Sequence, residues 1–290
     1  MKIAIIGGAG KMGRWFARFL LNEGKEVVIS GRNQKRLLEA KQELGGVEVA
    51  SNVEAVKSTD AVIVSVPIEN FEEVIKEISP RTHPKQVIID ITSVKGLPVE
   101  IMHRYIKTGM LLGTHPMFGP GAKSLRNQNF VLTPTNDAER ALAQKVREYL
   151  ENKGAKVTLM SPREHDEITA IVLGLAHFIG LVSADTLLSL DRLEAARKIA
   201  GTSYKVLLTL AKGVVSRDPE LYATLQMSFP NMPEIEELFQ RNAKTWAELV
   251  RNKDKPEFIR RMNLLKEKLE KAEPDLEAAY ENMYKLMEGW

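Results

Sequence analysis

The chain has no cysteine among its 290 residues. A disulfide scaffold, a thiolate nucleophile, thiol redox chemistry and the usual zinc sites are thereby excluded, and no metal site is expected. A dominant charge is also missing: 41 Lys and Arg stand against 38 Asp and Glu, interspersed rather than gathered in a basic stripe. No nucleic-acid surface is indicated, and small anionic ligands are the natural partners. The first apolar run begins at residue 2 or 3, so no signal peptide is expected ahead of it. Long hydrophobic runs are scarce. The longest uncharged stretch, 168–184, contains Thr169, His177 and Ser183, falls short of a bilayer span and reads as a buried helix. These readings describe a cytoplasmic chain without a membrane anchor, long enough for two ordinary domains.

What is present begins at once. Ile3-Ala4-Ile5-Ile6 is a buried strand that feeds Gly7-Gly8-Ala9-Gly10-Lys11-Met12-Gly13, and Trp15, Phe16, Phe19 and Leu20 follow as one helical face. A strand, a glycine turn and a helix in that order hold a dinucleotide pyrophosphate. Gly8 is expected to permit the tight turn, Gly10 to let the backbone approach the phosphates, and Gly13 to let the helix pack on the strand, with the helix N-terminus facing the anion.

The first half alternates apolar runs with amphipathic stretches. Residues 3–6, 26–30, 61–66, 87–91, 111–113, 130–132 and 156–159 read as strands of a mostly parallel α/β sheet. Between the last two lies a helix with Asn136 as cap, Glu139 three residues on and Gly154 as stop. Ser161-Pro162-Arg163-Glu164 repeats the start signal. From there everything to Trp290 has helical spacing. The expected organisation is a dinucleotide-binding domain over 1–160 and a helical domain over 161–290. Phe258, Met262, Leu265 and Leu269 suit a helix packed lengthwise on another, and the helical half is apolar enough to bury against a second copy, which predicts a homodimer.

NAD binders place an Asp or Glu at the end of strand two for the ribose hydroxyls. This chain instead reads Val28-Ile29-Ser30-Gly31-Arg32-Asn33. A hydroxyl and a guanidinium suit a 2′-phosphate, so NADP is expected over NAD, the alternative being that Arg32 is a solvated charge beginning a surface helix. Two later loops, 90–96 and 113–120, follow strands at the edge where ligands of such folds bind. Ser93, Lys95 and His115 in those loops can provide an orienting hydroxyl, an anion clamp and a proton acceptor. By spacing alone, His115 before Pro116 equally suits a residue that shapes a turn.

The motifs GGAGKMG at the start, SVP at 65–67, SVKG at 93–96, HPMFGP at 115–120, EHDEITAIVLGLAHF at 164–178 and RDPELYATLQMS at 217–228 resemble the prephenate dehydrogenase family over nearly the whole chain, most closely the branch fused to chorismate mutase. The resemblance implies a Rossmann-type doubly wound sheet followed by an all-α dimerisation domain. It implies oxidative decarboxylation of prephenate to 4-hydroxyphenylpyruvate in tyrosine biosynthesis. Lys11, Met12, Val66 and Pro67 would join Gly8, Gly10, Gly13, Ser30 and Arg32 at the cofactor. His115 would accept the ring hydroxyl proton, with activity rising near pH ~6.5 if its pKa is unperturbed. Ser93 would orient His115 and the hydroxyl, and Lys95 would hold a substrate carboxylate or lie beside the cofactor.

Along the long helix, His165 and His177 match family histidines. In an unbroken α-helix their spacing sets them roughly 120° apart, too far round for a close pair. His177 is assigned to the substrate, a satisfied core histidine being its bland alternative, and His165 to packing near the domain junction. Two positions depart from the family: a second histidine is replaced by Gly174, and an arginine that clamps the substrate carboxylate is replaced by Gly213. Lys212, and otherwise Lys205 or Arg217, is the candidate substitute. Arogenate, with an amine in place of the keto group, is therefore an alternative substrate, as for a cyclohexadienyl dehydrogenase. A β-hydroxyacid dehydrogenase is disfavoured by the lack of a lysine in the middle of the long helix, and a non-catalytic NADP-sensing interaction protein is the alternative of another class.

Overall fold

The structure is a computed structural model, and it describes residues 1–273 and 275–288. By their contacts they form two compact units, Met1–Thr169 and Ala170–Trp290.

The first unit carries an eight-stranded sheet in the order β3-β2-β1-β4-β5-β6-β7-β8. The strands are β1 (Lys2–Ile6), β2 (Glu26–Ser30), β3 (Val47–Val49), β4 (Ala61–Val64), β5 (Val87–Asp90), β6 (Met110–Pro116), β7 (Asn129–Thr133) and β8 (Lys156–Leu159). All neighbours are parallel except β6 and β7. The helices of this unit are α1 (Lys11–Asn22), α2 (Gln34–Leu44), α3 (Asn52–Lys57), α4 (Ile68–Ile78), α5 (Gly96–Tyr105), α6 (Asp137–Glu151) and α7 (Pro162–Thr169).

Side chains alternate across a strand, and here both faces are covered. Ile3 and Ile5 belong to one buried cluster with Trp15, Phe16 and Leu20 of α1, Leu37 of α2 and Leu142 of α6, whereas Ala4 and Ile6 belong to a second with Val56 of α3, Phe71 and Ile75 of α4 and Met102 of α5. That is why β1, β2 and β4 read as unbroken apolar runs. Phe71 and Ile75 are fully buried, each such side chain stabilising the fold by about 1.5–3 kcal/mol. The fold is a doubly wound Rossmann-type sheet with a helical unit after it in sequence.

The helix starts follow the capping residues. Asn136 Oδ1 accepts the amide of Glu139 at 3.0 Å, and Ser161 Oγ accepts that of Glu164 at 3.2 Å. Gly154 takes φ +84°, the left-handed turn that ends the segment after α6. β3 escapes sequence reading because three residues are too few for a periodic pattern. β6 runs three residues past the expected strand, through Pro116, because Thr114, His115 and Pro116 pair with Leu132, Val131 and Phe130 of β7. His115 therefore stands on a strand and not in a loop. α7, expected to open the helical half, groups with the sheet unit, where His165 is hydrogen-bonded to His115 and Asp166 accepts the Lys95 amide.

In the second unit, residues 170–175 form a π-helical turn, followed by α8 (Ala176–Ser189), α9 (Leu193–Lys198), α10 (Thr202–Val215), α11 (Pro219–Ser228), α12 (Met232–Arg251), α13 (Lys255–Ala272) and α14 (Ala279–Glu288). The wider π turn at Gly174 has a local cause. A Cβ there would fall 2.5 Å from Met232 Sδ, and the Gly174 carbonyl accepts a hydrogen bond from Gln226 Nε2 at 3.0 Å. The α-helical angle reckoned between His165 and His177 does not hold across it. Gly180 lets α8 lie close to α10, since a Cβ would meet Val214 Cγ2 at 2.7 Å.

Two expectations change here. The uncharged stretch 168–184 is not buried by its own chain: Ile171, Val172, Leu181 and Val182 are exposed, and so are Met262, Leu265 and Leu269 of α13. Of that stripe only Phe258 finds an aromatic partner, Trp246, at 4.9 Å between ring centroids. The helical stretch Pro162–Ser189 also exceeds the uncharged run, reaching 28 residues, and its apolar 18-residue window has a mean hydropathy of 1.9, enough for a bilayer span by length and composition. Its first turns instead spend His165 and Asp166 on hydrogen bonds to the sheet unit.

Candidate active site

The strand order reverses between β1 and β4, and the loops leaving their carboxyl ends are the glycine turn and Ser65-Val66-Pro67. Ligands of open α/β sheets bind at such a crevice. Gly7, not Gly8, takes the left-handed backbone, φ +82°, and a Cβ on it would strike the Ser65 carbonyl oxygen at 2.2 Å. Gly8 is needed for packing, its Cβ position lying 2.6 Å from Ile29 Cβ. Gly13 plays its expected part: a Cβ would fall 2.5 Å from the Gly7 carbonyl oxygen, so α1 presses directly on the turn. Gly10 is the N-cap of α1 in extended conformation, and no side chain caps that helix end. An uncapped helix N-terminus over a cradle that side chains would fill fits a dinucleotide pyrophosphate.

Around the turn, Lys11 is exposed at the first position of α1, Met12 packs against the core, Val66 is half-buried and Pro67 caps α4. Ser30 corrects an expectation. It is fully buried with its hydroxyl unpartnered, and it serves through its carbonyl, which accepts the amides of Gly7 and Gly8 at 2.9 and 3.0 Å. Arg32 is exposed beyond the end of β2, with Nη2 donating to Asn70 Oδ1 at 2.7 Å.

At the carboxyl ends of β5 and β6 the polar residues form one network. His115 is 4% exposed, and its Nδ1 lies 2.9 Å from Nε2 of His165 on α7. Its own Nε2 has no protein partner and is not sealed from solvent. His165 Nδ1 lies 2.7 Å from Asp166 Oδ1, and Asp166 takes the main-chain amides of Lys95 at 2.7 Å and Gly96 at 2.8 Å at the start of α5. Burial, then the neighbouring His165 and Lys95, holds the His115 imidazolium well below the ordinary histidine range. The condition attached to the sequence reading, an unperturbed pKa of ~6.5, therefore does not hold, and the shift favours the neutral imidazole.

Lys95 is the sharpest correction. Its ammonium is completely buried, pairs with Asp90 Oδ2 and donates to the Thr114 carbonyl at 2.6 Å. Burial pushes its pKa down, with Asp90 opposing. Asp90 is held in turn by the amide and hydroxyl of Thr92, at 2.7 and 2.5 Å. Lys95 therefore fastens β5 to β6 from within, and no face of it is open to a substrate carboxylate. Ser93 is half-buried and makes no hydrogen bond to His115, whose Nδ1 is taken by His165 instead.

In the helical unit, the His177 ring lies 4.5 Å from that of Tyr222, with Nδ1 buried and unpartnered. Burial lowers its pKa as well. Lys212 is exposed on α10, and the space a Cβ on Gly213 would enter is open.

Sequence reasoning assigned His165 to packing near the domain junction and gave no role to Asp166 or Thr92. The adjacent His-Asp pair was visible in a helix's first turn, but its partners lie 50 and 71 positions away, and only β6 and the start of α5 reveal them.

A glycine turn beneath an uncapped helix at the strand-order reversal, with a desolvated imidazole three strands from β1 along the same edge, defines a nucleotide-binding protein of the Rossmann class. Residues 16–159 match the nucleotide-binding domain of prephenate dehydrogenase and residues 161–264 its dimerization domain. The chain belongs to the prephenate dehydrogenase family. It is 38% identical over 265 residues to "Probable arogenate/prephenate dehydrogenase" of Methanocaldococcus jannaschii, covering 90% of this chain and 59% of that protein. It is 32% identical over 266 residues to the T-protein of Enterobacter agglomerans, covering 90% and 65%. The chain thus spans about three fifths of the length of those relatives. Among solved structures, prephenate dehydrogenase from A. aeolicus in complex with hydroxyphenyl propionate and NAD+ has the same fold, with a TM-score of 0.77 at 23% identity over 94% of this chain and 98% of that one.

Proposed function

We propose that the chain is a nicotinamide-dependent dehydrogenase that oxidatively decarboxylates prephenate, with arogenate as the alternative or additional substrate, in tyrosine biosynthesis. The observation that carries this reading is His115: a buried imidazole at the ligand edge of the sheet, with Nδ1 occupied and Nε2 free, whose burial favours the neutral form. The bound nicotinamide supplies an acceptor for the hydride on the ring carbon that bears the hydroxyl. His115 Nε2 takes the hydroxyl proton, so that carbon becomes a ketone. The ring carboxylate then leaves as CO2, its electron pair enters the ring, and the oxygen is reprotonated as a phenol. Ser93 is the hydroxyl free to meet the substrate. His177 and Lys212 are assigned to substrate binding, with Lys212 in place of the arginine missing at Gly213.

Gly8, Gly10, Lys11, Met12, Gly13, Val66 and Pro67 line the cofactor in this reading. NADP is preferred to NAD because the Arg32 guanidinium occupies the place of the acidic residue that binds ribose hydroxyls. The likeness to the branch fused to chorismate mutase rests on the SVKG and HPMFGP motifs. Domains of 1–160 and 161–290, a cytoplasmic setting and a homodimer through the helical unit belong to the same proposal. Its support for the dimer is the exposed apolar surface at Leu181, Val182 and Leu188 and the dimerization domain matched there. No observation favours a non-catalytic NADP sensor.

The test is dinucleotide reduction followed by absorbance, with prephenate and arogenate each paired with NADP and NAD. Turnover of either substrate supports the reading. A well-folded chain that binds dinucleotide yet turns over neither overturns it.

A further inference from the structure

We infer that Asp166 and His165 are positioning residues that lock His115 into the tautomer with its proton on Nδ1, leaving Nε2 as the base. The inference deepens the proposed function and rests on it for its kinetic arm.

The direction of the chain follows from its far end. Asp166 Oδ1 accepts the Lys95 amide and Oδ2 accepts the Gly96 amide, so main-chain donors anchor both oxygens at the N-terminus of α5. A carboxylate so placed is an acceptor only, and the His165 nitrogen 2.7 Å from Oδ1 must donate. With its proton on Nδ1, neutral His165 offers a lone pair at Nε2. Two groups converge on that lone pair: His115 Nδ1 at 2.9 Å and the Thr169 hydroxyl at 3.3 Å. His115 therefore donates from Nδ1, and its Nε2 carries the free lone pair.

The opposite polarity is disfavoured. It would require His165 to hold both protons, placing a cation directly beside the buried His115 ring. It would also put the His115 proton on Nε2, where no protein acceptor waits. Asp90 is engaged by Lys95 and Thr92 and so does not serve this chain of bonds. When His115 Nε2 takes the substrate proton, the positive charge on that ring is met through His165 by the Asp166 carboxylate, and no proton needs to move beyond His115.

The experiment is a long-range 1H–15N correlation spectrum of the full chain with labelled histidines, recorded near neutral pH and assigned with His115→Asn. His115 is expected as the Nδ1–H tautomer in the wild type, moving toward Nε2–H in His165→Asn and in Asp166→Asn. Wild-type His115 protonated on Nε2, or an Nδ1–H tautomer unchanged in both folded variants, would overturn the inference. In steady-state assays both variants should lose kcat by about 10²-fold with the dinucleotide KM unchanged. A loss confined to KM, or unchanged kcat, would also overturn it. The spectrum needs no turnover, so a wild type inactive on both substrates would count against the proposed function while the tautomer still decides this inference.

Discussion

The ammonium of Lys95 is paired inside the protein with the carboxylate of Asp90, both side chains having no solvent exposure, at the end of the strand beside the one that bears His115. The pair joins the SVKG loop to β5, and through the Thr114 carbonyl to β6. A lysine that reads from sequence as a substrate clamp is thus a structural rivet.

Removing one member leaves the other charged and buried. Lys95→Met should cost about 3–5 kcal/mol in urea unfolding. Adding Asp90→Leu should destabilise less than the two single changes summed, because no orphaned charge remains. A Lys95→Met protein of normal stability with a raised substrate KM would restore the clamp reading.

His115→Asn should lower kcat by about 10²-fold or more while dinucleotide binding, followed by fluorescence titration, is kept. Turnover near that of the wild type would remove His115 from the mechanism.

The pH dependence has a definite sign. Because the folded state holds the His115 pKa below its ordinary value, the base stays neutral through pH ~6.5, and the limb of kcat/KM assigned to it should fall only at lower pH. Stability moves oppositely to proton uptake. The unfolded chain protonates His115 first, so this residue's contribution should be fully present above pH ~6.5 and decline as pH falls toward the folded pKa. Urea midpoints across that range, compared between wild type and His115→Asn, isolate the effect.

Gly7 and Gly24 both have positive φ, +82° and +68°, but only Gly7 is crowded. Gly24→Ala should cost about 1–2 kcal/mol from backbone strain alone. Gly7→Ala should cost more and abolish dinucleotide binding, since its Cβ collides with the Ser65 carbonyl. Thermal unfolding and dinucleotide titration of the two variants check this contrast.

Arg32→Ala should raise KM for NADP by about tenfold or more and leave that for NAD nearly unchanged, because a guanidinium bonded to a 2′-phosphate has no counterpart in NAD. Equal effects on both dinucleotides would reduce Arg32 to a surface charge held by Asn70.

Much of the architecture was legible because its signals are local. Unbroken β-branched runs mark strands buried on both faces, Asn136 and Ser161 announce their helices, and Gly13 needs only its neighbours to explain it. The short β3 carries no period to read. That the helical half carries apolar surface for a second copy was legible, but which side chains one chain leaves exposed was not, because hydrophobicity says that a face will be covered and not by which chain.

The amino-acid order by itself determined a mostly parallel α/β sheet and the glycine turn, since propensity, capping and periodicity act over a few residues. Only the tertiary structure decided that Lys95 belongs to Asp90, that Ser30 serves through its carbonyl and that His165 and Asp166 stand behind His115. Those pairings depend on desolvation and on distances between β5, β6, α5 and α7, and a charge's partner is chosen by the space it is buried in.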